Sequence, residues 1–296
     1  MILVTGATGL SGSAVIREFA RRSEPVRALV RSRAKASVFE AFPTVEVVEG
    51  DMLQPETLGE ALKGVDRVLM ISSARERMLQ TQCTFIDACK EAGIRHIIKF
   101  SGKESGIGFN PENFRSTWEH EHIEDYLEKS GIAWTHLRPS QFMQFYLPQA
   151  LTGLDVGEST LSLPMENARL SPVDVEDIAK VAFALLHSEG HEGKSYEMTG
   201  PEALTMEEIT ERISQAIGKT VRYVSVTLEG KKRAWLAAGI PPERIEAVSE
   251  LLMERRKHSA SRVYLDTHKA FGVQPTTFVE FARRNATLFR GELVLS

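Results

Sequence analysis

The sequence predicts an α/β protein: a doubly wound parallel sheet with a smaller, mostly helical C-terminal lobe. Three observations carry that prediction. Short apolar runs alternate with segments of helical periodicity over residues 1–150. A glycine-rich turn joins the first run to the first helical segment. Past residue 200 the texture changes to successive helical stretches with one short strand among them.

Met1-Ile-Leu-Val-Thr5 runs straight into Gly6-Ala-Thr8-Gly9-Leu10-Ser11-Gly12. Apolar residues at helical spacing follow at Leu10, Ala14, Val15 and Phe19. Strand, tight turn and helix in that order bring backbone N–H groups and a helix N-terminus against a phosphate. Glycines remove the Cβ atoms that would block the approach. This is a Rossmann-like pyrophosphate turn, spaced G-x-x-G-x-x-G because position 8 is Thr. An ordinary βα turn reads the same way at lower resolution, and the flanking strand and helix favour the phosphate cradle.

Composition narrows the class. The chain has 296 residues, 42% hydrophobic and 26% charged, as expected of a soluble globular protein. A net charge of −4 argues against a nucleic-acid-binding surface. No apolar run approaches the roughly 20 residues of a membrane span. The opening strand leaves no room for a signal peptide. Cys83 and Cys89 lie six apart, which is neither metal-ligand nor redox C-x-x-C spacing. The expectation is a cytoplasmic protein, monomer or homodimer, without a metal site.

The elements follow in order. Pro25-Val-Arg-Ala-Leu-Val-Arg31 reads as strand two, whose end faces the adenosine ribose. A carboxylate there would favour NAD. The chain instead carries Arg31-Ser-Arg33 with Lys35 behind, and guanidinium groups suit a 2′-phosphate. NADP is therefore the expected cofactor, although Arg33 and Lys35 fit a solvated helix face equally well. Residues 44–50 form strand three, and Asp51 after it either meets adenine or caps the turn before Pro55. Residues 65–71 form strand four, ending in Ser72-Ser73-Ala74, small enough for backbone to lie along a cofactor. A core-striped helix spans 76–92, and His96-Ile-Ile-Lys-Phe-Ser101 is strand five. Four βα units in a row imply a parallel sheet with helices on both faces.

Chemistry is expected in the next segment. After Ser101-Gly102-Lys103 comes a Gly/Asn/Pro-rich loop to Phe114, then a helix over 117–129. His120 and Glu124, four apart, share one face of it. A His beside the nicotinamide could bond the ribose or donate a proton; a surface His–Glu pair fits the same spacing. Ala133-Trp-Thr-His-Leu-Arg-Pro139 is strand six. The aromatic segment Ser140-Gln-Phe-Met-Gln-Phe-Tyr146 should cover the nicotinamide half of the crevice. Residues 151–170 show no periodicity. Val173 to Lys180 opens a helix with acidic residues in its first turn, and 195–201 is a seventh strand ending in a turn. Thr205 and Glu208 form a capping-box pattern, 221–227 a short strand, and about 229–238, 242–257 and 277–290 are helical. The expected division is a dinucleotide-binding domain over 1–150, rejoined by 172–200, and a substrate lobe of 151–171 and 201–296.

With these residues assembled, the chain resembles the NmrA-like branch of the atypical short-chain dehydrogenase/reductases. The likeness rests on Thr5-Gly-Ala-Thr-Gly-Leu-Ser-Gly12, Leu29-Val-Arg31, Gly50-Asp51 and the His120/Glu124 helix. It continues through Ser130-Gly131, Leu137-Arg-Pro139, Phe142-Met143, Pro172-Val-Asp-Val-Glu-Asp-Ile178 and Thr199-Gly-Pro-Glu-Ala-Leu-Thr205, nearly the whole length. Within the branch it looks most like NADPH-dependent quinone, azo-dye and triphenylmethane-dye reductases. The resemblance implies that Gly6, Thr8, Gly9, Leu10, Ser11 and Gly12 hold the pyrophosphate of NADP(H) and Arg31 its 2′-phosphate. It puts Asp51 and Met52 by adenine, Ser72, Ser73, Ala74 and Ser101 along the ribose, and His120, Pro139 and Phe142 beside nicotinamide. Gln141, Met143, Phe145 and Tyr146 are left to meet an aromatic small-molecule substrate.

One departure matters. The wider superfamily uses Tyr-x-x-x-Lys, in which Lys lowers the Tyr pKa. Here Tyr126 is followed four residues later by Ser130 and Tyr146 by Ala150, and no other Tyr has the pair. Electron-poor substrates tolerate that loss, because hydride arrival is the difficult step and protons can come from water or His120. The expected activity is reduction of an electrophilic aromatic substrate, with His120 as the catalytic candidate. A non-catalytic NADP(H)-binding redox sensor is the alternative; a nucleotide-sugar epimerase or dehydratase fits less well without the Tyr.

Overall fold

The computed structural model describes residues 1–73, 77–102, 114–257 and 261–292. Its centre is a seven-stranded parallel sheet of β1 (Ile2–Val4), β2 (Val26–Val30), β3 (Val45–Glu49), β4 (Arg67–Met70), β5 (His96–Phe100), β6 (Ala133–Pro139) and β8 (Lys194–Met198). The spatial order is β3-β2-β1-β4-β5-β6-β8, so the chain reverses direction of travel across the sheet between β1 and β4. Ligands of such sheets bind beyond the carboxyl ends of the strands at that switch point.

Strand alternation divides the side chains between two faces. Val4, Ala28, Leu69, Ile98 and Leu137 face α1 (Leu10–Arg21) and a helix over Val175–His187. Leu3, Leu29, Val68, Met70 and Ile97 face α2 (Gly59–Leu62), α3 (Met78–Glu91) and α4 (Arg115–Lys129). Val175–His187 is α5, and Asp174 caps it: its carboxylate accepts the Glu176 N–H at 3.1 Å. The fully buried Asp174 also accepts from Gln144 at 2.7 Å and from Arg284, which ties the sheet to the C-terminal elements.

Those elements are α6 (Met206–Ile217), α7 (Leu228–Ala237), α8 (Pro242–Lys257), α9 (Asp266–Ala270), α10 (Phe278–Arg284) and α11 (Ala286–Phe289), with a two-stranded parallel ladder of β7 (Thr160–Leu163) and β9 (Arg222–Ser225). They share a core of their own around Leu161, Met206, Ile213, Trp235, Phe278 and Phe281. Thr205 and Glu208 close the expected capping box, and Thr277 with Glu280 forms a second.

Three differences from the sequence reading have local causes. The stretch without periodicity contains β7, whose four residues are too few to show alternation; the pairing Leu161↔Tyr223 with β9 makes it a strand. The 277–290 helix is two helices, broken at Asn285. The strand of 195–201 begins one residue earlier, at Lys194, and gives way to its turn after Met198; Gly200 in that turn lies against Pro172, where a Cβ would sit 1.9 Å from the carbonyl oxygen. Among the described residues no helix is long and apolar enough to cross a membrane.

Candidate functional site

The glycine turn stands at the carboxyl end of β1. Gly6 has φ +58°, in the left-handed region, and a Cβ on it would meet the Ile71 carbonyl oxygen at 2.8 Å. A Cβ on Gly12 would lie 2.2 Å from the Gly6 oxygen. Neither position has room for a side chain, and the turn is held on both sides. Gly9 N–H donates to the Gly6 oxygen at 2.9 Å. Thr5 Oγ1 donates to the Ile71 oxygen at 2.6 Å and accepts the Ile71 N–H at 2.8 Å, clamping β1 to β4. The α1 helix then begins at Leu10 with Gly9 as an N-cap that has no side chain to offer, and no acidic residue in its first turn. The N–H groups of Leu10, Ser11 and Gly12 precede the first i→i−4 bond of the helix, which Ser13 makes to Gly9 at 2.9 Å. Thr8, Gly9 and Leu10 are exposed; Ser11 and Gly12 are buried.

Arg31 follows directly on β2 and is exposed, with no ion pair to a described residue. Arg33 and Lys35 form an exposed 3₁₀ turn, and the Arg33 N–H donates to the Glu49 carboxylate at 2.7 Å. Glu49, at the end of β3, is a neighbour the sequence reading did not connect to this corner. Asp51 is used locally: its Oδ1 accepts the Leu53 N–H at 2.9 Å, and its N–H donates to Thr57 Oγ1 at 2.9 Å, so the turn-capping role is the one visible here. Met52 is buried beside it. Ser72 accepts from the buried Gln82 amide of α3 at 2.8 Å, and Ser73 is exposed. Ala74 and the loop from Lys103 to Asn113 lie outside the described residues.

The inner end of the site is built from buried charge. Thr117, His120, Ile123, Glu124 and Leu127 make the inner face of α4. His120 and Glu124 are 5% and 4% exposed, so the surface-pair reading is overturned. They bond different partners. Glu124 holds a forked pair with Arg138 of β6 (Nε to Oε1 3.1 Å, Nη2 to Oε2 2.7 Å), and Arg138 reaches Glu197 of β8 at 3.6 Å. Burial works against the Glu124 carboxylate, yet the Arg138 guanidinium, helped by Lys99, keeps its pKa below the usual range. His120 Nδ1 lies 2.9 Å from Nζ of Lys99, a fully buried lysine in the middle of β5. Burial first, and the Lys99 charge second, push the His120 pKa well below the ordinary histidine value. The opposite edge of the ring lies under the end of β5: a Cβ on Gly102 would sit 2.3 Å from Nε2. Ser101, just before it, is buried, its N–H donating to the Leu137 oxygen at 2.8 Å.

Lys99 and Arg138 carry this network, and the sequence reading assigned neither a role. A signal was present for the first. A lysine inside a strand read as buried on both faces needs a partner.

Beyond β6 the chain crosses to the C-terminal elements. Pro139 ends the strand, buried, paired with Met198. Phe142 stands 6.2 Å from Phe100 and 5.2 Å from Phe145, ring centre to ring centre. Gln141 donates to the Tyr146 hydroxyl at 2.6 Å. Gln141, Phe145 and Tyr146 line a small gap of about 10 Å³, room for one water molecule, together with Met165, Met206 and Arg255. Met143 does not line it and is buried in the core that also holds Tyr146, Met165 and Met206. Arg255, from α8, is 5% exposed with its guanidinium carbon 5.9 Å from the Phe145 ring centre; the helix's bland charge pattern gave no sign of this.

The profile of the NmrA-like family matches residues 1–282. The NAD(P)H azoreductase of Xenophilus azovorans is 36% identical over 291 residues, covering 98% of this chain and 99% of its own length. Quinone oxidoreductase 2 of Escherichia coli is 30% identical over 245 residues, 81% of this chain and 83% of that one. Among solved structures, the triphenylmethane reductase of Citrobacter sp., crystallised with NADP(H), superposes with a TM-score of 0.83 at 26% identity, over 97% of this chain and 100% of that one. Fold, glycine turn and relatives along the full length agree, and the chain belongs to the NmrA-like family.

Proposed function

We propose that the protein is an NADPH-dependent reductase of electrophilic aromatic compounds of the quinone, azo or triphenylmethane type. The residues present fit the cofactor. Gly6 and Gly12 admit no side chain in this tight turn, and the turn leads into the first N–H groups of α1, which have no side-chain cap and would meet a pyrophosphate. Arg31 is exposed where a 2′-phosphate would end. Leu10, Ser11 and Gly12 would bind the pyrophosphate, with Thr8 and Gly9 beside them; Asp51 and Met52 would flank adenine and Ser72, Ser73, Ala74 and Ser101 the ribose. When bound, NADPH supplies the hydride.

The observation that carries the substrate class is the aromatic cluster past β6: Phe142 stands against Phe100 and Phe145, with the Arg255 guanidinium facing the Phe145 ring. Pro139 leads from it back to the carboxyl end of β6, where the nicotinamide would lie. The relatives that act on azo compounds and quinones support the same class. The chain's residues would then work by orienting the substrate plane and excluding water, with His120 the candidate to hydrogen-bond a developing anion.

Purified protein mixed with NADPH and a panel of quinones, azo dyes and triphenylmethane dyes should consume nicotinamide absorbance with at least one class. No consumption above background across the panel would sink the proposal. The missing Tyr-x-x-x-Lys pair favours a second reading, a redox sensor of the NmrA type; tight binding that discriminates NADP⁺ from NADPH, with no turnover, would establish that instead.

A further inference from the structure

Lys99 is the feature that neither the cofactor cradle nor the aromatic cluster explains. It sits on a central strand, fully buried, at a position where a parallel sheet normally places an aliphatic side chain. Burying an ammonium costs several kcal/mol unless its environment compensates. Its Nζ lies 2.9 Å from His120 Nδ1. An ammonium has only protons to give, so Nδ1 must accept, and a neutral imidazole that accepts at Nδ1 carries its proton on Nε2.

We propose that Lys99 is a positioning residue for His120: it fixes the imidazole as the neutral tautomer with its proton on Nε2, aimed at the carboxyl end of β5. Nε2 is the ring edge against Gly102, where only a glycine leaves the ring its place. The inference rests on the reading that this end of the sheet receives the nicotinamide and substrate. It gives His120 a defined job. The imidazole is a hydrogen-bond donor to a developing oxygen or nitrogen anion, rather than an imidazolium acid, and its rotamer is set by Lys99 and Gly102.

The charges around the pair support that state. From α4 comes Glu124, already held by Arg138 of β6; from β6 also His136, bonded to Glu128 at 3.0 Å; from α3 the half-buried Cys83 with Asp87 behind it. Glu124 is thus committed to Arg138, and among the described residues the charge acting on His120 is the lysine's. A second positive charge on the ring is disfavoured on both counts.

The test is the ¹⁵N spectrum of the histidine-labelled full-length protein, with and without NADP⁺. The chain has eight histidines, and His120→Gln identifies the wanted signals by their disappearance. The wild type should show an unprotonated Nδ1 and a protonated Nε2, unchanged through the neutral range. In Lys99→Met the two nitrogens should average between tautomers and start to titrate at higher pH than in the wild type, while Lys99→Arg restores the Nε2 proton. With a substrate from the panel, Lys99→Met should lower kcat about tenfold, less than the roughly hundredfold that a proton-transfer group itself contributes, and leave KM for NADPH unaltered. A proton on Nδ1 in the wild type overturns the proposal, and so does an unchanged tautomer in Lys99→Met. If that variant does not fold, the wild-type spectrum decides alone. A protein with the expected tautomer but no turnover of any substrate refutes the reductase reading and leaves the tautomer assignment standing.

Discussion

The turn at Gly6–Gly12 presents backbone N–H groups, whereas the network around His120 is built of buried side chains, and the two need very different amounts of the chain. Seven consecutive residues build the first, with Ile71 beyond β4 clamped beside them. Its cradle depends on what is missing, the Cβ atoms of Gly6 and Gly12. The second draws Lys99 from β5, His120 and Glu124 from α4, Arg138 from β6 and Glu197 from β8. Backbone donors at an exposed helix end carry no desolvated charge, so that end of the site is cheap to maintain. The inner end holds buried ionic groups, each tolerable only while its partner is present. The comparison teaches where mutations should act: binding is lost at the turn, and folding at the network.

The largest effect is expected from Arg138→Met. It strands the Glu124 carboxylate in the core, and breaking a buried pair from one side costs about 3–5 kcal/mol. The sign with pH is fixed. A carboxyl group whose folded pKa lies below its unfolded value contributes stability that is complete above the ordinary Glu value, about 4.3, and is lost as the pH falls through the folded pKa. Denaturant unfolding at pH 7 and pH 4 should therefore show a wide gap between wild type and variant that narrows with acid. An equal gap at both pH values would break the electrostatic account of this end.

Gly12→Ala comes next and probes the other end. The new Cβ would meet the Gly6 oxygen at 2.2 Å, a backbone atom that cannot swing away. A loss of about 3 kcal/mol, at the upper end of overpacking penalties, is expected, with NADPH binding abolished in calorimetry even where the protein remains folded. Unchanged NADPH affinity would remove the turn from the site.

Arg31→Asp should be smaller and selective. Losing charge-assisted bonds to a 2′-phosphate costs about 1.5–3 kcal/mol, a weakening of NADPH of roughly tenfold to a hundredfold, while NADH binding changes little. Equal losses for both dinucleotides would take Arg31 out of the 2′-phosphate pocket. The smallest effect belongs to His120→Ala: about a tenfold fall in kcat if hydride transfer governs the rate. A thousandfold fall with NADPH affinity intact would make His120 an obligatory acid and sharpen the contrast further.

Acid should also reveal the network in the wild type. Burial, opposed in part by nearby carboxylates, lowers the pKa of His96, His136 and His268, and burial with the Lys99 charge lowers that of His120. Each is stable as the neutral ring, so stability is full above about pH 6.5 and falls as the pH drops below it. The thermal midpoint should begin to decline there, before the carboxylates titrate, and His120→Gln should flatten part of that decline.

The amino-acid sequence by itself determined the parallel sheet, the place of the glycine turn and the cationic end of β2. These are local properties, readable from apolar periodicity, from glycines that no side chain can replace, and from the residue types that follow a strand. It also put His120 and Glu124 on one helical face, as they are. Only the tertiary structure decided what that face meets. Lys99 is 21 residues before His120 and Arg138 is 14 after Glu124, and strand order brings each to its partner. The same limit applied to Met143 and Tyr146, read as a substrate wall from their aromatic neighbours and packed together in one buried core. Burial, and the pKa values that follow from it, depend on which elements pack together, and no stretch of the chain contains that information alone.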